Sequence, residues 1–357
     1  MSYADVAYQQ WKDDNPLPLR KAPRQHGHQN TDAENRPQTR FSPVATEPVC
    51  VSSPPSADET VYAIPDEVFN QTVGHYDRNQ FARLLGNHFG TSVASDLLQR
   101  FQVGTSARWP GASVFWFIDE QDRKRGGQIK LFRPDWHTEK YVDREGRNRA
   151  KVDWVHSAMR YRFEKAGTPI PAWLSDYIDK GERSPCLFGL PQLLTVTATQ
   201  PVAIVEAPKT AILCTPYFPQ FTWLAAGSLS YLNAERLTPV RNRRIVLFPD
   251  MATDGKAFNR WSRIADQLRT HGFSITVSDY LEKIPATDQQ RQDGLDLADY
   301  LTQYQCPDSG RGLTEPNGYP ALWDAPNVPD AVPSIRVISC AEFSNVNVMS
   351  RHLMRWG

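Results

Sequence analysis

PVAIVEAPKTAILCTPYFPQFTWLAAGSLSYLNAERLTPVRNRRIVLFPD, residues 201–250, continues at 251–281 as MATDGKAFNRWSRIADQLRTHGFSITVSDYL. Four short apolar runs stand out in it: PVAIVE at 201–206, FTWLAA at 221–226, RIVLF at 244–248 and FSITV at 273–277. Stretches of helical character separate them at 209–218, 229–237 and 256–271. The last carries apolar residues at 257, 258, 261, 264, 265 and 268, a 3.6-residue period, and Gly272 stops it. Short buried strands alternating with helices predict a parallel sheet of four strands with helices packed on it, joined by right-handed crossovers.

Upstream the pattern is different. Residues 79–90 and 91–101 each place apolar side chains at helical spacing, and ASVFWFI (112–118) and GQIKLF (127–132) read as two strands of a hairpin around a polar turn. Residues 139–153 are charged and turn-like, and 154–166 reads as a helix. Residues 1–65 hold nine of the 28 prolines and no sustained apolar period, which predicts a disordered arm. Its His26-Gly27-His28 makes a poor metal site in such a segment. The expected organisation is therefore an arm (1–65), a smaller α+β lobe (66–195), an α/β domain (196–304) and a C-terminal extension (305–357), whose 335–338 run is a candidate edge strand.

The chain has 357 residues, with 40 Lys+Arg balancing 40 Asp+Glu. Charge alone gives no prior for a nucleic-acid partner, so that case rests on local patches and a site. No run approaches the ~18 apolar residues of a membrane span, and the N-terminus lacks an apolar signal stretch. The five cysteines show no C-x-x-C spacing, as reduced thiols in a cytoplasm would be. Cys214 reads as a buried, inert thiol and His156 as a packing histidine.

Ligands bind beyond the carboxyl ends of the strands in an open parallel sheet. Two runs end there in acids, Glu206 after the first and Asp250 after the third, with Asp254 four residues farther on. Neighbouring strands lie ~4.8 Å apart, so such carboxylates come within reach of one divalent ion. Asp293, Asp296 and Asp299 cluster after the fourth run. Oxygen ligands without a thiol or imidazole favour Mg2+ (or Mn2+) over zinc. Residues 121–165 hold 13 Lys+Arg against seven Asp+Glu, interleaved with Trp136, Tyr141, Trp154 and Tyr161. That mixture fits single-stranded DNA or RNA, with Arg123, Lys124, Arg125, Lys130 and Arg133 as phosphate contacts; a solvated charged hairpin has the same composition. Arg241, Arg243 and Arg244 lead into the third strand and are expected at the end of the sheet opposite the acids.

Residues 202–211 (VAIVEAPKTA) resemble the first motif of the toprim domain, the catalytic module of bacterial primases, topoisomerases and related enzymes. Glu206, Lys209 and Ala211 match its glutamate, lysine and alanine, while Ala207 and Pro208 replace a glycine and a second glutamate. WLAAGS (223–228) resembles the second strand and its glycine turn. IVLFPDMATDG (245–255) resembles the third strand with its D-x-D-x-x-G metal motif, although Ala252 stands where the second aspartate belongs and Asp254-Gly255 follow it. Residues 113–132 with CLFGLPQ (186–192) resemble the lobe that precedes toprim in primase-type proteins. The resemblance spans about 112–301.

The resemblance implies magnesium-dependent phosphoryl or nucleotidyl transfer, in replication or mobilisation of a mobile genetic element. It implies Glu206 as general acid/base or metal ligand, Asp250 as the principal metal ligand, Asp254 as a substitute ligand and Lys209 as a cation for phosphate. The absence of a zinc ribbon implies a partner chain supplying that function or a helicase. Ala252 keeps a second expectation open, a non-catalytic nucleic-acid-binding or assembly module on the same scaffold.

Overall fold

The computed structural model describes residues 60–182, 186–284 and 286–303. Most of the expected arm, its His26 and His28, Cys50, and the extension with Cys306, Cys340 and the 335–338 run lie outside the described residues. Residues 60–65 join the fold: Ile64 is buried and its backbone N–H donates to the Lys124 carbonyl at 2.8 Å.

The chain runs through helices α1 (Asp66–Asn70), α2 (Gln80–Phe89) and α3 (Thr91–Arg100) into strands β1 (Gly104–Ser106), β2 (Ala112–Ile118) and β3 (Lys124–Lys130). Asn79 caps α2, its side chain accepting from Ala82 N–H at 3.1 Å. Every residue of β2 is buried, which its continuous apolar composition anticipates. β3 begins three residues before the expected run, because Asp119 organises a short turn that lets pairing start at Lys124. Between 139 and 153 the expected turns are instead three short strands, β4 (Lys140–Val142), β5 (Asn148–Ala150) and β6 (Val152–Trp154). β4 and β5 form an outlying ribbon, and β6 completes an antiparallel sheet of order β1-β2-β3-β6. Helices α4 (Val155–Ala166) and α5 (Ala172–Lys180) follow.

The second sheet is parallel, as its apolar runs require. It comprises β7 (Val202–Val205), helix α6 (Pro208–Tyr217), β8 (Thr222–Ala225), β9 (Ile245–Leu247), helix α7 (Lys256–Thr270) and β10 (Ile275–Val277). Pro208 sits in the first turn of α6, where its missing N–H has no partner to lose. The strand order is β10-β9-β7-β8. β7 is central: the chain leaves it to β8 on one side, then returns to β9 on the other, so the order reverses between β7 and β9.

The helix expected at 229–237 does not form. Asn233 and Ser228 bond to nearby backbone instead, and the segment runs as turns into a 3-10 helix at Thr238–Val240. Short helices α8 (Tyr280–Lys283), α9 (Asp288–Asp293) and α10 (Leu297–Leu301) close the described chain.

The two sheets share one apolar core, from Phe81, Leu97 and Phe115 to Ile204, Leu224 and Leu247. Phe188 joins them by pairing antiparallel with Ala225, which covers the outer edge of β8. Gly189 makes that approach possible: its φ is +89°, and a Cβ there would stand 2.9 Å from Gln192 Nε2. No described helix is long and apolar enough to cross a membrane.

Candidate active site

The point where strand order reverses in an open parallel sheet leaves a crevice at the strands' carboxyl ends. Glu206 directly follows β7, and Asp250 lies three residues beyond β9, so both stand at the rim of that crevice. The ladder continues past the strands here: Phe248 N–H donates to Ile204 O at 2.8 Å, and Gly227 N–H to Glu206 O at 2.8 Å. The Glu206 carboxylate accepts the backbone N–H of Leu229, and the cations Lys130 and Arg260 lie within electrostatic reach. Burial nevertheless raises its pKa above the ordinary value.

Asp250 is the least compensated acid. Its Oδ1 is buried and has no hydrogen-bond partner in the protein. Burial first, then the neighbouring charges of Asp296 and Glu206, push its pKa well above the ordinary carboxylate range, against a smaller opposing pull from Lys209.

A third element brings Asp296 and Asp299 to the same place. Met251 N–H donates to Leu295 O at 2.9 Å, pinning the approach to α10 onto the loop after β9. Asp296 caps α10 in a capping box with Asp299. Lys209, buried in the first turn of α6, donates to Asp299 Oδ1 at 2.6 Å and lies 3.1 Å from Asp296 Oδ2. Thr210 Oγ1 donates to Asp296 Oδ2 at 2.7 Å. Although burial opposes the charged form of Lys209, the fields and bonds of Asp296 and Asp299 prevail and raise its pKa. Burial likewise works against ionised Asp296, but Lys209 and Thr210 outweigh it and hold that carboxyl low.

Lys130 arrives from the other sheet, at the end of β3. Burial and the repulsion of Lys209 push its pKa down to about 8, while Asp296, Glu206 and Asp250 pull it up. Four carboxyls therefore lie within electrostatic reach of two ammoniums, Lys130 and Lys209, and of the exposed Arg260 guanidinium. Beneath them Cys214 is fully buried, and burial raises its thiol pKa well above the usual range. Beside Asp299 opens a cleft of about 350 Å³, with Asp135, Trp136 and His137 on one side and Asp293, Asp299 and Gln303 on the other.

The sequence-expected residues divide clearly. Lys130 is brought within electrostatic reach of Glu206, Asp250 and Lys209, and Asp250 within reach of Glu206 and Lys209. Asp254 is not: it is exposed, lies 2.6 Å from Lys256 Nζ, and that cation holds its pKa down. Among the described residues no three His, Cys, Asp or Glu side chains form a ready metal-binding cluster.

The expected phosphate contacts on the hairpin are largely committed within the protein. Arg123 and Arg125 reach Asp119 at 2.7 and 3.2 Å, and Arg133 reaches Asp135 at 2.7 Å. Lys124 is 4% exposed and stands within 3.0 Å of both Asp66 and Asp122. It therefore has no exposed face to offer a phosphate, because α1 folds over it. His156 is buried, as a packing histidine would be. Arg260, exposed at the start of α7 and acting on Glu206, is a cation that sequence reasoning missed; it is one polar residue among many on an amphipathic helix.

A family model described as "Domain of unknown function (DUF6371)" matches residues 79–251, taking in Lys130, Glu206, Lys209 and Asp250. No curated protein matches the chain. Among solved structures, the primase fragment of the bacteriophage T7 primase-helicase protein is similar at 12% identity and a TM-score of 0.37, over 67% of this chain and 77% of that one. The DnaG catalytic core is similar at 12% identity and a TM-score of 0.36, over 60% and 69%. The E. coli primase catalytic core is similar at 14% identity and a TM-score of 0.34, over 62% and 59%.

Proposed function

We propose that this chain is a magnesium-dependent, primase-like nucleic-acid enzyme that carries out nucleotidyl or phosphoryl transfer on DNA or RNA, in the service of a mobile genetic element. The observation that carries the reading is Asp250: a carboxylate oxygen buried without a partner, beside Glu206 and Asp296, at the crevice where strand order reverses. A buried charge of this kind is costly unless something compensates it.

Magnesium keeps most of its waters and is commonly held by one or two carboxylates together with substrate phosphates. Glu206 and Asp250 fit that requirement without a third protein ligand. A magnesium ion held by Glu206 and Asp250 would supply neutralisation of phosphate charge and orientation for an in-line displacement. Glu206, with a raised pKa and a single backbone donor, is placed to exchange a proton with the attacking or leaving oxygen. Lys209 holds Asp296 and Asp299 in position, and Lys130 offers an ammonium to a phosphate entering from the antiparallel sheet.

The test is magnesium-dependent primer synthesis or strand cleavage by wild type and Glu206→Gln, assayed on single-stranded DNA and RNA. The variant is expected to lose the activity; equal activity in the two proteins would remove Glu206 from the mechanism.

One observation favours the second reading, a nucleic-acid-binding or assembly module on the same scaffold. Lys209 already pairs with both Asp296 and Asp299, supplying a cation of the protein's own where a metal would otherwise act. That reading requires no saturable magnesium binding, and DNA affinity that survives EDTA and falls steeply with salt.

A further inference from the structure

Beside the acid crevice lies a cleft that the proposed chemistry does not use. Its volume is about 350 Å³, at the small end of the range for ligand sites and enough for one nucleoside-sized ring system. One wall is the loop 133–137, closed by the Arg133 N–H donating to His137 O at 2.8 Å. In it Trp136 stands at φ +67°, a left-handed conformation that bulky side chains rarely adopt. Such a conformation persists only where the surroundings fix it, and they do so here. The Trp136 ring packs nearly perpendicular to Phe81 and His88, with centroids 6.0 and 5.8 Å apart. His88 Nε2 lies 2.6 Å from the Tyr217 hydroxyl, which donates to Leu301 O at 3.3 Å. That chain of contacts ties the loop to α10, on the other wall, so the cleft is formed before any ligand arrives.

Trp136, His137 and Leu295 give the cleft aromatic and apolar surface, and carboxylates supply most of its polar groups. None of the described lining residues is a lysine or arginine, so a phosphate finds no cation in it. Two of the lining acids are engaged within the protein. Asp135 accepts from Arg133 and from the His137 N–H, and Asp299 from Lys209 and from the Asp296 N–H. Asp293 is the acceptor left over: it is exposed and, among the described residues, bonded only through Oδ1, to Gln289 Nε2 at 3.0 Å. Because Asp299 both lines the cleft and bonds Lys209, the cleft adjoins the acid crevice.

We propose that this cleft is a nucleobase pocket: the ring lies against Trp136 and its exocyclic amino group donates to Asp293, so guanine, adenine and cytosine are preferred over uracil and thymine. An uncharged heterocycle gains stacking on an indole without needing a cation. An ionised carboxylate only accepts, which suits an amino group. Uracil and thymine instead present one ring N–H between two carbonyls, whose oxygens a carboxylate repels. The inference rests on the nucleic-acid reading above for the class of ring, and extends it to a choice among bases.

The experiment is calorimetric titration of guanosine, adenosine, cytidine and uridine into the full chain in EDTA. Cytidine against uridine is the deciding pair, since they share sugar and ring size and differ in the amino group. Wild type is expected to bind the first three saturably and uridine at least fivefold more weakly than cytidine. Trp136→Phe is expected to keep cytidine affinity within about threefold, and Trp136→Ala to lose at least tenfold. Asp293→Asn, whose amide donates as well as accepts, is expected to shrink the cytidine–uridine gap below twofold. Asp293 is exposed, so that variant decides the matter even if Trp136→Ala fails to fold. No saturable binding in wild type, equal affinity for cytidine and uridine, or an unchanged gap in Asp293→Asn would each overturn the proposal. Nucleosides carry no phosphate and the buffer no metal, so a failed magnesium titration leaves the pocket standing, and a failed nucleoside titration leaves the metal reading standing. Glu206→Gln is expected to bind nucleosides as wild type does; their loss in that variant would move the ring to the acid crevice and overturn the pocket.

Discussion

Asp119 and Asp250 are both acids at strand ends, held in opposite ways. Asp119, after β2, accepts from the Gln121 and Arg123 backbone and from the Arg123 and Arg125 guanidiniums. Burial pushes its pKa up, yet those bonds together hold it below the ordinary value. Asp250, after β9, has a buried oxygen with no partner and three acids within electrostatic reach, so its pKa goes up. A hairpin turn finishes its own electrostatics; the crevice between β7 and β9 leaves its own unfinished. Charge density along the sequence does not separate the two cases, and the state of compensation does.

The largest expected break in that comparison is catalytic. Asp250→Asn is expected to reduce magnesium-dependent activity by more than the ~10–100-fold typical of losing an outer partner of a metal site, whereas Asp119→Asn leaves the crevice intact. Rates of nucleotidyl transfer or cleavage under saturating magnesium check this.

Stability is expected to rank the two sites the other way. Asp119→Ala strands the partly buried Arg125 and is expected to cost on the order of 2–4 kcal/mol. Asp250→Asn, which relieves repulsion, is expected to leave metal-free stability unchanged or higher. Urea unfolding in EDTA measures both.

The pH dependence sharpens the contrast through its sign. A carboxyl lowered by folding, such as Asp119, contributes stability above its unfolded pKa of ~3.9, and that contribution is lost as pH falls through the folded value. A carboxyl raised by folding, such as Asp250, contributes stability below ~3.9, and that contribution is lost as pH rises through the folded value. Tm profiles in EDTA from pH 3 to pH 9 are therefore expected to flatten at the acid end for Asp119→Asn. For Asp250→Asn they are expected to flatten on the limb that falls with rising pH.

The smallest effect belongs to the exposed cations. Arg133→Gln breaks a surface pair with Asp135, and less than about 1 kcal/mol is expected in the same urea measurement.

Much of this was legible in the sequence. Glu206 and Asp250 were readable because an apolar run fixes where a buried strand ends, and the residues just past it must face the sheet's rim. Strand order was not readable, since nothing local states that β9 pairs with β7 on the side away from β8. Asp296 and Asp299 were visible as a cluster, but their capping of α10 and their bonds to Lys209, some ninety residues away, are tertiary facts. Lys130 read as a phosphate contact on the hairpin, because the hairpin pattern does not reveal that the end of β3 meets the acids. The 229–237 helix failed where Ser228 and Asn233 offered the backbone other partners.

The central claim is the proposal that Glu206 and Asp250, at the crevice between β7 and β9, bind one divalent cation. Calorimetric titration of magnesium into metal-free wild type, Glu206→Gln and Asp250→Asn tests it most directly. The account predicts saturable binding of about one ion per chain in wild type and its loss in both variants. Absence of saturable binding in wild type, or binding that survives unchanged in Asp250→Asn, would contradict it.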